Sequence, residues 1–496
     1  MPPPPPPAAD GQLVLPIPGV LEEHAKPERI RRADRVFVNR NLRMSTIEWV
    51  GFDMDYTLAI YNQQAMDALS VDLTVERLIR RGYPRYLRRL AYDTRFPIRG
   101  LLIDKKHGHV LKMDRHKVVL KGYHGQTRLS REQLLELYHH KRIRPHTARY
   151  HWIDTLFALS EVTAFAAIIA ALEQKGDQVD YDKLFVDVRA AIDEAHRDGS
   201  VYKHVTGNLS RYVDRDPALA RTLHKLRSAG KRLFVLTNSP AGYTNQMMEF
   251  LLGDAMPEYP SWQNYFDVSI CAAQKPRWFE NGQPFMQLDG DVLRPTKHLE
   301  RGTLYEGGNL RDFERMTGCV PSSVLYVGDH IYGDILRSKK ESSWRTLLIL
   351  QELDAEIAAL ELCLTDRTRG RELYESRAQL EDELRFYQAR YKELSKGSNG
   401  SAVELGAERS RVKKAIDRIR AEMRRLDQEH AGLVERVDTA FHPYWGSLLK
   451  EEHEMSSFGH QVNLYADIYT RRVSCLAAYS PTQFFRSPHD LMAHEI

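Results

Sequence analysis

Ile47-Glu48-Trp49-Val50-Gly51-Phe52-Asp53-Met54-Asp55-Tyr56-Thr57-Leu58 is the stretch whose reading decides the fold. The short apolar run Ile47–Phe52 reads as a strand buried on both faces, and it ends in two carboxylates two residues apart. Carboxylates so placed can reach one pocket. There one can attack phosphorus while the other protonates the departing oxygen and then activates water. Taken alone, the pair has a plainer reading as solvated turn residues or helix caps.

Four further apolar runs repeat the pattern, at Arg232–Leu236, Val268–Cys271, Val324–Val327 and Thr346–Leu350. Helical patterns such as Pro217–Ser228 and Asp334–Ser342 alternate with them. This alternation predicts an α/β domain with parallel strands and with ligands at their carboxyl ends. After the second run, Thr237-Asn238-Ser239 offers hydroxyl and backbone N–H donors to phosphate oxygens, or an N-cap to a helix. After the third, Lys275 can neutralise a phosphoryl group in transfer, although a lone lysine is more often a surface residue. After the fourth, Gly328-Asp329-His330-Ile331-Tyr332-Gly333-Asp334 supplies hard oxygen ligands suited to Mg²⁺, while Asp334 is equally placed to cap the next helix.

Roughly 180 residues separate the first two runs, too many for a simple crossover, so a cap domain inserted there is expected. Beyond Leu350, stripes of Leu and Ile among dense charges predict helices on either side of a break at Lys396–Gly406, that is, a helical hairpin. The expected domains are a Pro-rich tail and lead-in (1–34), a discontinuous core (35–65 and 205–350) and a cap (66–204). A hairpin (351–440) and an aromatic-rich segment (441–496), packing on the core or on a second subunit, complete the chain.

Composition excludes little but directs much. Hydrophobic residues at 42% and charged residues at 28% are those of an ordinary globular protein. A formal net charge of +4 gives no electrostatic reason to favour nucleic acid. The basic, Tyr-bearing stretch Arg77–Arg99 has a composition that suits nucleic acid. It falls, however, where a cap would begin over a site for anionic small molecules, so no nucleic-acid partner is expected. Cys271, Cys319, Cys363 and Cys475 lie far apart and read as free thiols. With no apolar run of about 18 residues and no signal-like start, neither a membrane span nor secretion is expected, and the location expected is cytoplasmic.

The ordered set DxDxT, TNS, Lys and GDxxxxD, each after its own strand, resembles the four motifs of the haloacid dehalogenase superfamily. Within it, an Asp two residues after the nucleophile goes with phosphatases and phosphotransferases. The wording Asp53-Met54-Asp55-Tyr56-Thr57-Leu58-Ala59 and the run from Gly328 to Lys340 (GDHIYGDILRSKK) are similar to the cytosolic purine 5′-nucleotidase family. That likeness extends from about residue 35 to the closing Leu491-Met492-Ala493-His494-Glu495. It implies a three-layer, haloacid dehalogenase-like Rossmannoid core with an inserted cap and a C-terminal helical hairpin.

The resemblance also implies roles. Asp53 would be the nucleophile and Asp55 the general acid/base. Mg²⁺ would be held by Asp53, the Asp55 carbonyl and Asp329, with Asp334 nearby, and the phosphate by Thr237, Asn238 and Lys275. Phe157 matches the aromatic that stacks on a purine, and Arg189, Asp193 and His196 match residues contacting base and sugar. Their i, i+4, i+7 spacing puts those three on one helix face; read without the resemblance they are a surface ion pair, a bystander His and a core Phe. A nucleoside 5′-monophosphate, IMP or GMP before AMP, is the substrate implied, with phosphotransfer to another nucleoside as a side activity.

A nucleotide effector site near the interface of a homo-oligomer (dimer or tetramer) is implied at Arg144, Lys340 and Arg345. Two departures bear on it. Asp154 stands where the purine nucleotidases carry Asn, so that a carboxylate opposes an anionic effector, and Tyr332 stands where they carry Phe. The rival expectations are a phosphatase for another small ester, such as a sugar phosphate, and a low-turnover binding or scaffold protein on a nucleotidase-like fold.

Overall fold

Every residue of Trp49–Phe52 (β1) is buried, as a central strand covered on both faces requires. The computed structural model describes residues 30–139, 143–145, 147–290, 292–395, 402–451 and 454–488. The proline tail, residues 396–401 of the Lys396–Gly406 break and the closing 491–495 lie outside the described residues, and the rest of that break, from Ala402, is helical. Six strands run parallel to β1: Arg232–Leu236 (β2), Val268–Cys271 (β3), Leu304–Gly307 (β4), Val324–Gly328 (β5), Arg345–Ile349 (β6) and Ile468–Thr470 (β7). Their order is β7-β6-β5-β1-β2-β3-β4. Antiparallel Phe37–Val38 flanks β7, and the hairpin Phe285–Asp289/Val292–Pro295 flanks β4. The α/β layout with parallel central strands expected from the motifs is the one observed.

Register sets the site. Phe52 lies opposite both Val235 and Val327, so the ends of β1, β2 and β5 are level. Close packing holds that register, because a Cβ built on Gly51 would stand 2.1 Å from Cζ of Phe234. Gly51→Ala is therefore expected to cost about 1–3 kcal/mol and to lower the melting temperature, and a Phe234→Leu background is expected to recover part of the loss. An unchanged melting temperature would show that the ring moves freely.

Between β1 and β2 lies a five-stranded antiparallel sheet, in the order Thr127–Arg128, Val119–His124, His109–Met113, Leu101–Asp104, Tyr150–Ile153. Helices Gln63–Arg80 (α1), Leu159–Gln174 (α2) and Tyr181–Arg197 (α3) pack together beside it. Asn62 and Asp180 cap α1 and α3 by accepting from Ala65 N and Lys183 N. The segment Leu156–Gln174 is long and apolar enough to cross a membrane, a feature the sequence reading passed over. Yet most of it is buried inside the fold, and it serves as the central helix of the cap.

Within the cap sheet, burial and the neighbouring His124 hold His109 down at about 4, and its Nδ1 contacts the Tyr138 hydroxyl at 2.8 Å. The unfolded chain takes up this proton near pH 6.5 and the folded chain only near 4. Stability is thus unaffected above pH 6.5, falls as pH drops through that window and levels below about 4. Melting curves of His109→Gln are expected to show a shallower acid limb than those of the parent chain.

C-terminal to β6, Leu353–Leu362 leads into two long helices, Leu364–Ser395 and Ala402–Phe441. The pairs Arg369–Glu429, Arg377–Asp427 and Arg390–Glu408 show that they run antiparallel, around Leu373, Leu426 and Leu433 at one end and Leu394, Val412 and Ile416 at the other.

Candidate active site

Asp53 follows β1 directly, and its N–H donates to Val327 O at 2.8 Å, which fixes the nucleophile candidate between β1 and β5. The chain then turns sharply. The N–H groups of Thr57, Leu58 and Ala59 all reach Met54 O, and Tyr56 adopts a left-handed φ of 57°. Such backbone in a residue other than glycine is strained and concentrates at functional sites. The turn brings Asp55 back to the same pocket. Tyr61 donates to Asp55 Oδ1 at 2.5 Å, and Ser239 donates to Oδ2 at 2.7 Å, with Thr237 Oγ1 at 3.4 Å.

Lys275 lies at the centre. Its Nζ is 2.9 Å from Asp53 Oδ1 and 2.7 Å from Asp334 Oδ1, and it donates to the Tyr326 hydroxyl at 3.1 Å. Asn238 holds the lysine's loop, accepting from Lys275 N at 2.6 Å and donating to Lys275 O at 3.0 Å. Its side chain is thus engaged with the loop. The lone lysine of the sequence is a buried one, paired on both sides.

Asp53, Asp329 and Asp334 bring carboxylate oxygens within 4.8 Å of one another. Gly328 makes room for this, because a Cβ there would stand 2.7 Å from Asp334 Oδ2. Burial, opposed by Lys275 and reinforced by Asp334, Asp329 and Asp55, pushes the Asp53 carboxyl well above the usual range. Burial likewise raises Asp329 to about 7 against the pull of Arg99. Asp329 Oδ2 is buried with no hydrogen-bond partner among the described residues. Carboxylates crowded in this way, with one oxygen unpartnered, make a hard-oxygen donor set that fits a divalent metal ion.

A second His/Asp group, Asp104, His107 and His109, is a different matter. There Arg149 already fills the centre, with Nη2 2.5 Å from Asp104 Oδ2 and 3.0 Å from His107 Nδ1.

A model of the 5′ nucleotidase family matches residues 36–496. The chain belongs to that family. A 5′-nucleotidase domain-containing protein of Dictyostelium discoideum is 29% identical over 473 residues, covering 93% of this chain and 74% of that one. Among solved structures, a predicted phosphoglycolate phosphatase from Haemophilus somnus matches at 14% identity and a TM-score of 0.27, covering 62% of this chain and 86% of its own. A HAD phosphatase from Thermococcus onnurineus matches at 14% and 0.26, covering 62% and 87%. Likeness at that level carries no weight for function, and the assignment stands on the family and on the strand-end site. The protein is a hydrolase of the 5′-nucleotidase type, acting on phosphate esters.

On the cap side of this 5′ nucleotidase, Phe157 is 40% exposed and meets Tyr56 edge-on at 4.7 Å, with the His196 ring at 6.4 Å. The aromatic thus stands against the turn that follows Asp53. Arg189 points elsewhere, to Glu161 Oε2 at 3.2 Å and His151 Nε2 at 2.9 Å, while the exposed Asp193 is 4.0 Å from its Nε. The residues matched to an effector site make separate contacts. Asp154 pairs with His330 at 3.4 Å, and Arg345 holds Asp467 at 2.9 Å and Asn41 O at 2.6 Å. Arg144 and Lys340 are exposed, and Tyr332 accepts a hydrogen bond from Arg337. Burial would lower His330, but the hydrogen bond and charge of Asp154, with the charges of Asp334 and Asp329, hold it up at about 9.

Three residues of this site had no assigned part in the sequence reading, and a fourth, Ser239, was named only as a phosphate donor or cap and not as a partner of Asp55. Ser239 stood inside the quoted TNS and was open to discovery there. Tyr61, Tyr326 and Arg99 carry no local signal, since each becomes relevant only through the partner that folding gives it.

Proposed function

We propose that this nucleotidase hydrolyses nucleoside 5′-monophosphates, purine nucleotides and IMP or GMP before others, in two steps at Asp53. The observation that carries the proposal is Lys275 held between Asp53 and Asp334, beside an Asp55 gripped through both oxygens. An Asp53 oxygen bonds to phosphorus as the bond from phosphorus to the nucleoside O5′ breaks, and Asp55 gives its proton to that oxygen. Asp55 then takes a proton from water, whose oxygen attacks phosphorus and frees Asp53 and inorganic phosphate. A second nucleoside hydroxyl in place of water gives phosphotransfer. Lys275, Thr237 and the backbone beyond β2 stabilise the phosphoryl oxygens. Mg²⁺ bound by Asp53, the Asp55 carbonyl and Asp329, with Asp334 nearby, would neutralise charge between nucleophile and phosphate. Phe157 over Tyr56 supports the purine reading, as a base platform at the mouth of the site.

The test is phosphate release from IMP, GMP, AMP, UMP and a sugar phosphate, with Mg²⁺ and again with a chelator. Chelation is expected to abolish release. Phe157→Ala is expected to raise the KM for IMP about tenfold, since base–aromatic stacking contributes roughly 1–3 kcal/mol. Equal rates on IMP and the sugar phosphate would sink the nucleotide reading.

A further inference from the structure

Arg99 and Asp154 leave the same end of the cap sheet. Gly100 N–H donates to Ile153 O at 2.6 Å, closing the ladder in which Leu101 faces Ile153. From that shared edge each residue reaches across to the core, and they reach successive positions of one loop. Arg99 Nη1 donates to the Asp329 carbonyl at 2.8 Å, and Asp154 Oδ2 lies 3.4 Å from His330 Nε2.

The Arg99 side chain is fully buried, so its charge needs a partner, and Glu352 supplies one through two hydrogen bonds of 2.8 and 2.6 Å. Phe458 lies 5.0 Å from the guanidinium. Glu352 is its nearest counter-charge, with Asp329 and Asp154 adding to it, and Nη1 is directed at the loop. Asp329 has greater need of this than its neighbours. Asp334 is held by Lys275, and Asp53 by Lys275 and Met54 N, whereas Asp329 Oδ2 has no partner among the described residues. With that oxygen unpartnered, the placing of the carboxylate leans on its backbone, and Arg99 donates to that backbone's carbonyl.

We infer that Arg99 and Asp154 are positioning residues through which the docked cap holds Asp329 in place for the divalent cation. The inference rests on the proposed function's reading of Asp53, Asp329 and Asp334 as the cation's ligands. It makes cation affinity a property of the cap–core contact as well as of the carboxylates. It also puts the cation loop and the base platform at two ends of one short segment, since Phe157 follows Asp154 by three residues.

The test is binding of Mn²⁺ to the full chain without substrate, followed by the paramagnetic resonance signal of the free ion. The parent chain is expected to show saturable binding that Asp329→Asn removes. Arg99→Lys and Asp154→Ala are each expected to weaken binding about tenfold or more, the usual effect of losing a group that orients a metal ligand. Circular dichroism should be unchanged, and the Mn²⁺ concentration for half-maximal turnover should rise by the same factor. Should Arg99→Lys fail to fold, Asp154→Ala and Glu352→Gln decide. Unchanged Mn²⁺ affinity in the folded variants overturns the inference while leaving the metal site standing. A parent chain that binds no Mn²⁺ overturns the reading beneath it.

Discussion

Asp53→Asn is expected to lower phosphate release from every ester by roughly 10⁴-fold or more, the scale of loss seen when a nucleophile is removed. An amide has the shape of the carboxylate but cannot bond to phosphorus as a leaving-competent acyl phosphate. The neighbouring carboxylates have other parts: Asp334 is tied to Lys275, Asp55 is held through both oxygens by hydroxyls, and Asp329 is read as a ligand of the cation. The same substitution should leave the fold intact or strengthen it. Burial and the charges of Asp334, Asp329 and Asp55 push the Asp53 carboxyl well above its usual range, so the folded chain pays to keep it ionised. Removing that charge leaves Lys275 its second partner, Asp334, at 2.7 Å. In metal-free buffer the melting temperature of Asp53→Asn is accordingly expected to equal or exceed that of the parent. Activity lost together with a lower melting temperature would mean a damaged fold and would leave the role of Asp53 undemonstrated by this variant. Residual turnover within about a hundredfold of the parent would point to another nucleophile.

What could be read from the sequence follows from what each signal depends on. β1 was legible because a strand covered on both faces is apolar along its length, and the carboxylates mark its end. Lys275 was legible only through its place in the series, since nothing near it in sequence says that it is buried between Asp53 and Asp334. β4 and β7 were not read as strands. Leu304–Gly307 is interrupted by Glu306, and Ile468–Thr470 is three residues long inside an aromatic-rich tail, so neither forms an apolar run. The cap helix α2 was missed as a long apolar element, because periodicity fades when a helix is buried nearly all round. Asp154 and Arg345 show the other limit. Their positions could be matched to a family site, but their partners, His330 and Asp467, lie far away in the chain and are set by topology.

Asp55→Asn should separate the two steps that Asp53→Asn removes together. With IMP the departing group is an alkoxide, which needs a proton as the bond breaks, so turnover is expected to fall by about 10²–10⁴-fold. With p-nitrophenyl phosphate the departing phenolate is stable without one, and attack by Asp53 should proceed at near the parent rate. Release of phosphate from Asp53 still needs activated water. The variant should therefore give a burst of one p-nitrophenolate per site followed by a slow phase, with a phosphoryl group found on the peptide containing Asp53. The pocket should accept the amide, because the Tyr61 hydroxyl can turn between position 55 and Tyr243, 2.8 Å away, and Ser239 can accept as well as donate. Steady turnover of p-nitrophenyl phosphate at the parent rate, with no burst and no adduct, would take Asp55 out of the second step and assign the activation of water to another group. A burst with IMP as well as with the phenyl ester would take it out of the first.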